Sequence, residues 1–315
     1  MRRLLALCAL ALVHAAAPAA ECPPAADVGQ LTRGSAEEAT RRAVDRGFLW
    51  QLERGGRTSW LYGTMHLGKA EWLIPGPTVR EALAQSDTVA LELDLGDPAT
   101  LAVFAAPADA AVMARVLTPE RRQRLAQQAA LACLPDGALA GMRPILQLAT
   151  LSMLAARSEG LYADFGSEAF LTMFARARKK PLVGLESAAD QLKALAGETE
   201  AEEGEQIDQG LTDLESGDAR RQGEQLADVW AHSDWTRLDR YRQWCDCIRT
   251  PADELALRRL LDDRNPGLAA GIARLHDGGQ RVFAAVGALH MVGSAGLPAL
   301  LESRGFRVTQ RVPAP

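Results

Sequence analysis

Residues 281–293 read RVFAAVGALHMVG, and the fold turns on this stretch. The unbroken apolar run Val282–Val286 fits a strand buried on both faces. Gly287 ends it, and His290 follows three residues on, before Met291, Val292 and Gly293. Near the other end of the chain, Tyr62-Gly63-Thr64-Met65-His66-Leu67-Gly68 repeats the pattern after a strand predicted over Thr58–Gly63. Each reads strand, Gly-x-x-His, apolar residues, Gly. Excluding His14, the chain has His66, His232, His276 and His290. With Gly near 7% of residues, these would give only about 0.3 such matches by chance.

The first motif belongs to a hairpin. Phe48–Leu52 reads as a strand, Arg54-Gly55-Gly56 as a turn, and Thr58–Gly63 as the returning strand. Val89, Leu91, Leu93 and Leu95 alternate with Thr88, Ala90, Glu92 and Asp94, which predicts a half-buried strand over 88–95. Leu182–Leu185 is a short apolar strand, and Phe306, Val308 and Val312 alternate in a last one. Ser294 is placed to cap a helix before that strand. Between the ends the pattern is helical, through 119–133, 144–157, 167–178 and 186–247, with Pro251–Asp262 and Leu268–Leu275 later. Strand signals at both ends with helices between predict an α/β fold. Its mixed sheet is built from the N- and C-terminal segments (47–96, 181–186, 280–312), with a largely helical middle insertion at 97–178 and 187–250.

The 315-residue chain is 48% hydrophobic and 24% charged, ordinary globular values. Arg2-Arg3, the apolar run Leu4–Val13 and small residues to Ala20 read as a signal peptide over 1–20. Residues 21–46 follow as a Pro- and Ala-rich linker, with a short helix expected at 36–45. Without residues 1–20, which hold two Arg and no acid, the formal net charge goes from −5 to −7. That balance disfavours nucleic acid, which needs Lys and Arg clusters. No later stretch has the length and apolarity of a membrane span. The expectation is an exported protein, periplasmic in a bacterium, with no membrane span after cleavage. Cys22, Cys133, Cys245 and Cys247 suit an oxidising compartment. Cys245 and Cys247 stand too close to pair easily, so each is expected to reach Cys22 or Cys133. A Cys-x-Cys metal or redox pair is the rival.

In α/β sheets ligands collect beyond the carboxyl ends of strands. His66 and His290 stand at two such exits, and Glu92 lies near a third. Neutral imidazole is a common metal ligand and, near pH 7, a proton carrier. A carboxylate on an otherwise inward strand needs a partner. Two imidazoles and a carboxylate from three strand ends make a divalent-metal site with open positions. The bland alternative is two hydrogen-bonded core histidines and a Glu92–Arg pair. Glu186, at another strand end, is a candidate ligand or base, or a helix N-terminal charge. Arg264, with Asn265 before Pro266, is an oxyanion or carboxylate binder, or a salt bridge to Glu92 itself. Asp94 is a weaker metal candidate. His232 reads as surface beside the N-cap Asp234, and His276 as a helix-end cation. The acidic run Glu198–Asp208 reads as a solvated face. Met65 and Met291 read as core, with axial haem ligation as the other use.

These residues resemble the TraB/GumN-like proteins, relatives of the Tiki metalloproteases. The resemblance rests on Trp50-Gln51-Leu52, Gly63–Gly68, Leu91–Asp94, Gly184-Leu185-Glu186, Arg264-Asn265, Val286–Gly293 and Arg304–Val308. It covers residues 47–312. It implies a metal-dependent hydrolase, most concretely a peptidase, with His66, Glu92 and His290 as ligands. The divalent metal it implies is manganese or cobalt, with zinc open, and the substrate is a peptide or protein. Glu186 would carry a proton and Arg264 would stabilise charge. A haem- or metal-binding envelope protein without catalysis, or a scaffold protein, is the alternative.

Overall fold

The computed structural model describes residues 22–27 and 33–314. The expected signal peptide lies outside the described residues, and a helix, Arg33–Arg42, occupies part of the expected linker. Six strands form one mixed sheet: β1 Phe48–Arg54, β2 Arg57–Thr64, β3 Thr88–Leu91, β4 Leu182–Gly184, β5 Val282–Gly287 and β6 Arg307–Val312. Their order is β4-β3-β5-β2-β1-β6.

Gly55 and Gly56, at φ 58° and 72°, supply the positive dihedrals of the tight turn that sets the β1–β2 register. Phe48 then faces Gly63, and Leu52 faces Ser59. β2 pairs parallel to β5, β5 to β3 and β3 to β4. The carboxyl ends of four adjacent strands therefore share one edge of the sheet. β5, at the centre, is buried from Val282 to Val286, as its unbroken apolar run requires. Strands from both ends of the chain thus complete one sheet. Its core includes Phe48, Leu61, Val89, Phe283, Leu268 and Leu301. The helical middle carries a second apolar core with Val116, Leu125, Ile145, Leu151, Ile207 and Leu211.

Several local expectations are corrected. β3 ends at Leu91, and all four of its residues are buried. Thr88 and Ala90, on its polar-looking face, are small and buried, and the helix Ser167–Ala177 packs against the strand. Glu92 is therefore the first residue beyond the strand. Asp94 closes a turn, its Oδ1 accepting from the Gly96 N–H at 2.8 Å. The last helix is Leu297–Ser303, with Gly296 rather than Ser294 at its N-cap.

The cysteines pair as Cys22–Cys133 and Cys245–Cys247. Asp246 takes a left-handed φ of 50° and folds the chain back on itself. That brings the Cα atoms of Cys245 and Cys247 to 5.1 Å, inside the range a disulfide needs. The acidic run is not simply solvated. Glu200, Glu202 and Asp208 pair with Arg115, Arg259 and Arg121, and Glu203 is buried, accepting from the Ile145 N–H. These bridges and Glu203 dock the helix Glu200–Ser216 onto its neighbours.

Candidate functional site

Each strand of the parallel set delivers one side chain just past its carboxyl end. β2 delivers His66, β3 Glu92, β4 Glu186 and β5 His290. Arg264 arrives from the break between the helices Pro251–Leu260 and Asn265–Asp277. The five residues singled out from the sequence come together.

The meeting point is the α-carbon of Gly287. A Cβ there would stand 3.2 Å from Glu92 Oε1, 3.7 Å from His290 Cδ2 and 4.0 Å from His66 Nε2. The Gly287 N–H donates to Glu92 Oε1 at 2.7 Å. Glycine lets the carboxylate lie against the backbone, where a side chain would crowd it.

Arg264 lies beneath this point, its side chain only 9% exposed. Its Nε donates to Glu186 Oε2 at 3.0 Å, and its Nη2 to Glu92 Oε2 at 2.6 Å and to Glu186 Oε1. Its Nη1 donates to the Leu260 carbonyl at 2.6 Å and faces His290 Nε2 at 3.3 Å. The salt-bridge reading of Arg264 is thus realised, with Glu186 as a second partner. Gln191 Nε2 donates to both carboxylates. Burial works to raise the Glu92 carboxyl. His290, which is protonated in the acid range where Glu92 titrates, together with His66, Arg264 and the Gly287 N–H, outweighs burial and holds it at about 2. Glu186 is raised above its ordinary value, because burial there outweighs Arg264.

The two imidazoles are set up differently. His290 is buried, which lowers it to about 4 and leaves it neutral at pH 7. Its Nδ1 lies 2.6 Å from Asn265 Oδ1. Asn265 Nδ2 donates to the Ala295 carbonyl at 2.8 Å, so Oδ1 is the acceptor and His290 Nδ1 carries the proton. The Nε2 lone pair is left to accept from Arg264.

His66 is 63% exposed, and its Nδ1 lies 2.9 Å from Oε1 of Glu168. The Glu168 charge raises the imidazole to about 9, an effect that water at its outer edge softens. Burial works to raise Glu168, but the His66 charge and hydrogen bond override it and hold the carboxyl low. His66 is therefore an imidazolium at neutral pH, with Nδ1–H donating to Glu168. No hydrogen bond engages its Nε2 among the described residues.

Glu168 is the functional residue that sequence reasoning missed. A backbone clamp brings it to His66. Gly68 N–H donates to Tyr162 O at 2.9 Å and Tyr162 N–H to Gly68 O at 2.8 Å. Ser167 N–H donates to Met65 O at 3.0 Å. The segments touch so closely that a Cβ on Gly68 would lie 2.1 Å from Phe165 O, and one on Gly166 2.3 Å from His66 O. Gly-Ser-Glu at 166–168, opening a helix, was the visible signal, but nothing in its spacing tied it to His66.

The other histidines stay apart. His232 is exposed beside Asp228, and Asp234 caps its helix as expected. His276 stands in the last turn of its helix, as expected, but is buried. Its Nδ1 accepts from the Ser59 hydroxyl at 2.8 Å and its Nε2 donates to Arg54 O at 3.0 Å. Met65 and Met291 are core.

The donor types suit a divalent cation: each imidazole has its Nδ1–H tied to a side-chain oxygen, an arrangement common around metals. Their arrangement does not fit one. Among the described residues no group of three or more His, Cys, Asp or Glu side chains is placed to hold an ion. Arg264 instead engages both Glu92 and His290 Nε2.

The sequence profile of the TraB/PrgY/gumN family matches residues 48–310. Comparison with curated proteins and with solved structures finds no match.

Proposed function

The chain belongs to the TraB/PrgY/gumN family, and from that premise together with the site we propose that it is an exported hydrolase of carbonyl compounds, most concretely a peptidase. The observation that carries this reading is the convergence of His66, Glu92 and His290 over Gly287, at the carboxyl edge of four parallel strands. Disulfides are compatible with export, and no single described helix is long and apolar enough to cross a membrane.

His66 is the exposed side chain of the group and its Nε2 is engaged by no hydrogen bond among the described residues, so substrate meets the protein there. As an imidazolium it donates its proton to the leaving group of the scissile bond while water attacks the carbonyl carbon, and the proton lost by that water returns the His66 imidazole to its charged form. Glu168 fixes the ring's orientation and stabilises the charged form. Glu92 and Glu186, bridged by Arg264, give a fixed charge pattern beneath the reacting atoms. His290, neutral and tied to Asn265, completes that floor. The divalent metal expected from the sequence is assigned no step, because the residues as arranged do not fit it.

The test is cleavage of a peptide library by the purified protein and by His66→Ala, which alters an exposed side chain. General acid catalysis is worth about 10²–10⁴ in rate, and a loss of that size is expected. Undiminished cleavage by His66→Ala, or none by the unmodified protein, contradicts the reading.

A further inference from the structure

We infer that Arg264 is the resident cation of this site, and that a divalent metal reaches Glu92 and His290 only by displacing it. The guanidinium has five N–H donors and no acceptor. Each donor has a partner here: Glu186 Oε2, Glu186 Oε1, Glu92 Oε2, the Leu260 carbonyl and His290 Nε2. The last contact is the telling one. A ligating imidazole gives its lone pair to the metal, and the lone pair of His290 Nε2 already faces an N–H.

Charge leads to the same place. Glu92 and Glu186 are about one-tenth exposed and share Arg264 between them. Without it, two carboxylates and a neutral imidazole would be buried together with no buried counter-cation, the exposed His66 imidazolium being already paired with Glu168. Such a set draws in a divalent ion. With Arg264 in place one of the two negative charges is compensated and both carboxylates are hydrogen-bonded, and a second cation would have to enter beside a guanidinium that cannot lose its proton. Expulsion of Arg264 is therefore coupled to any metal binding. The inference does not depend on whether the site hydrolyses anything.

The experiment is equilibrium dialysis against Mn²⁺ and, separately, Zn²⁺. Bound metal is counted by mass spectrometry for the full chain, for Arg264→Gln and for Arg264→Lys, with folding checked by circular dichroism. Arg264→Gln is expected to bind at least about tenfold more tightly than the unmodified chain, a factor typical of coupled sites. Adding His66→Ala and His290→Ala to it should remove the gain. Should Arg264→Gln not fold, Arg264→Lys carries the test on the same criterion, because an ammonium cannot span both carboxylates and His290 in one fork. The inference is overturned if the folded variant binds no more tightly than the unmodified chain, the case where neither binds included. It is overturned too if the gain survives loss of both imidazoles.

Discussion

Glu92 is the residue on which most of the site depends. One oxygen accepts from the Gly287 N–H and the other from Arg264 and Gln191. Removing one partner of a buried pair strands the other, at a cost of about 3–5 kcal/mol. Glu92→Gln keeps the shape but sets an amide against the guanidinium, and a loss of that size is expected in urea unfolding. The pH dependence has a definite sign. The carboxyl is held at about 2, below its ordinary 4.5, so its contribution to stability is present above 4.5 and lost as pH falls through about 2. Acid unfolding of Glu92→Gln should lack that component. Glu92 was legible because a carboxylate closing an apolar strand needs a partner. Arg264, 172 residues away, was named from the sequence as a salt-bridge partner, whereas Gln191 and the Gly287 N–H were not, because only the fold brings them to Glu92.

At the scale of elements, the His66 loop is placed by its contact with residues 162–168. Gly68→Ala would force a Cβ to 2.1 Å from the Phe165 carbonyl oxygen, so the backbone itself must move. Crowding of this kind costs about 1–3 kcal/mol. The midpoint of thermal unfolding should drop, and peptide cleavage should fall with it as His66 leaves Glu168. Gly267→Ala serves as the comparison. Its Cβ meets nothing within 4 Å, and it lies in the helix Asn265–Asp277, where alanine is favoured by about 0.5–1 kcal/mol. Its melting temperature should hold or rise. The hairpin, β5 and the long helices were legible because each is written in local pattern: a Gly-Gly turn, an unbroken apolar run, a 3.6-residue period. The end of β3 was not, because burial of both faces of the strand, Thr88 and Ala90 included, depends on segments far along the chain. The Cys245–Cys247 bond was missed for a related reason: spacing alone hides the left-handed turn at Asp246.

Across the whole molecule, the Cys22–Cys133 bond spans 111 residues and ties the N-terminal segment to the helical middle. Pro24 O also accepts from the Tyr162 hydroxyl at 2.9 Å, and the Tyr162 backbone holds the His66 loop. Cross-links over loops of this length stabilise by about 2–4 kcal/mol. Cys22→Ser/Cys133→Ser should lower the denaturant midpoint accordingly, and an unchanged midpoint would contradict it. The overall architecture was legible because strand patterns cluster at both ends of the chain and helical patterns fill the middle. A meeting of His66, Glu92 and His290 at strand exits was expected from their motifs, but the order β4-β3-β5-β2 that produces it was not, because it joins segments that no local pattern relates.

The most direct test of the central claim, that His66 with Glu168 supplies a proton to the leaving group, is the pH dependence of kcat/KM for peptide cleavage. A proton donor raised to about 9 should keep the rate level through neutral pH and let it fall as pH rises through about 9. Glu168→Gln should move that fall to lower pH, toward the ordinary imidazole value of 6.5. An alkaline limb that stays in place in Glu168→Gln, or a rate that climbs through pH 9, would contradict the account.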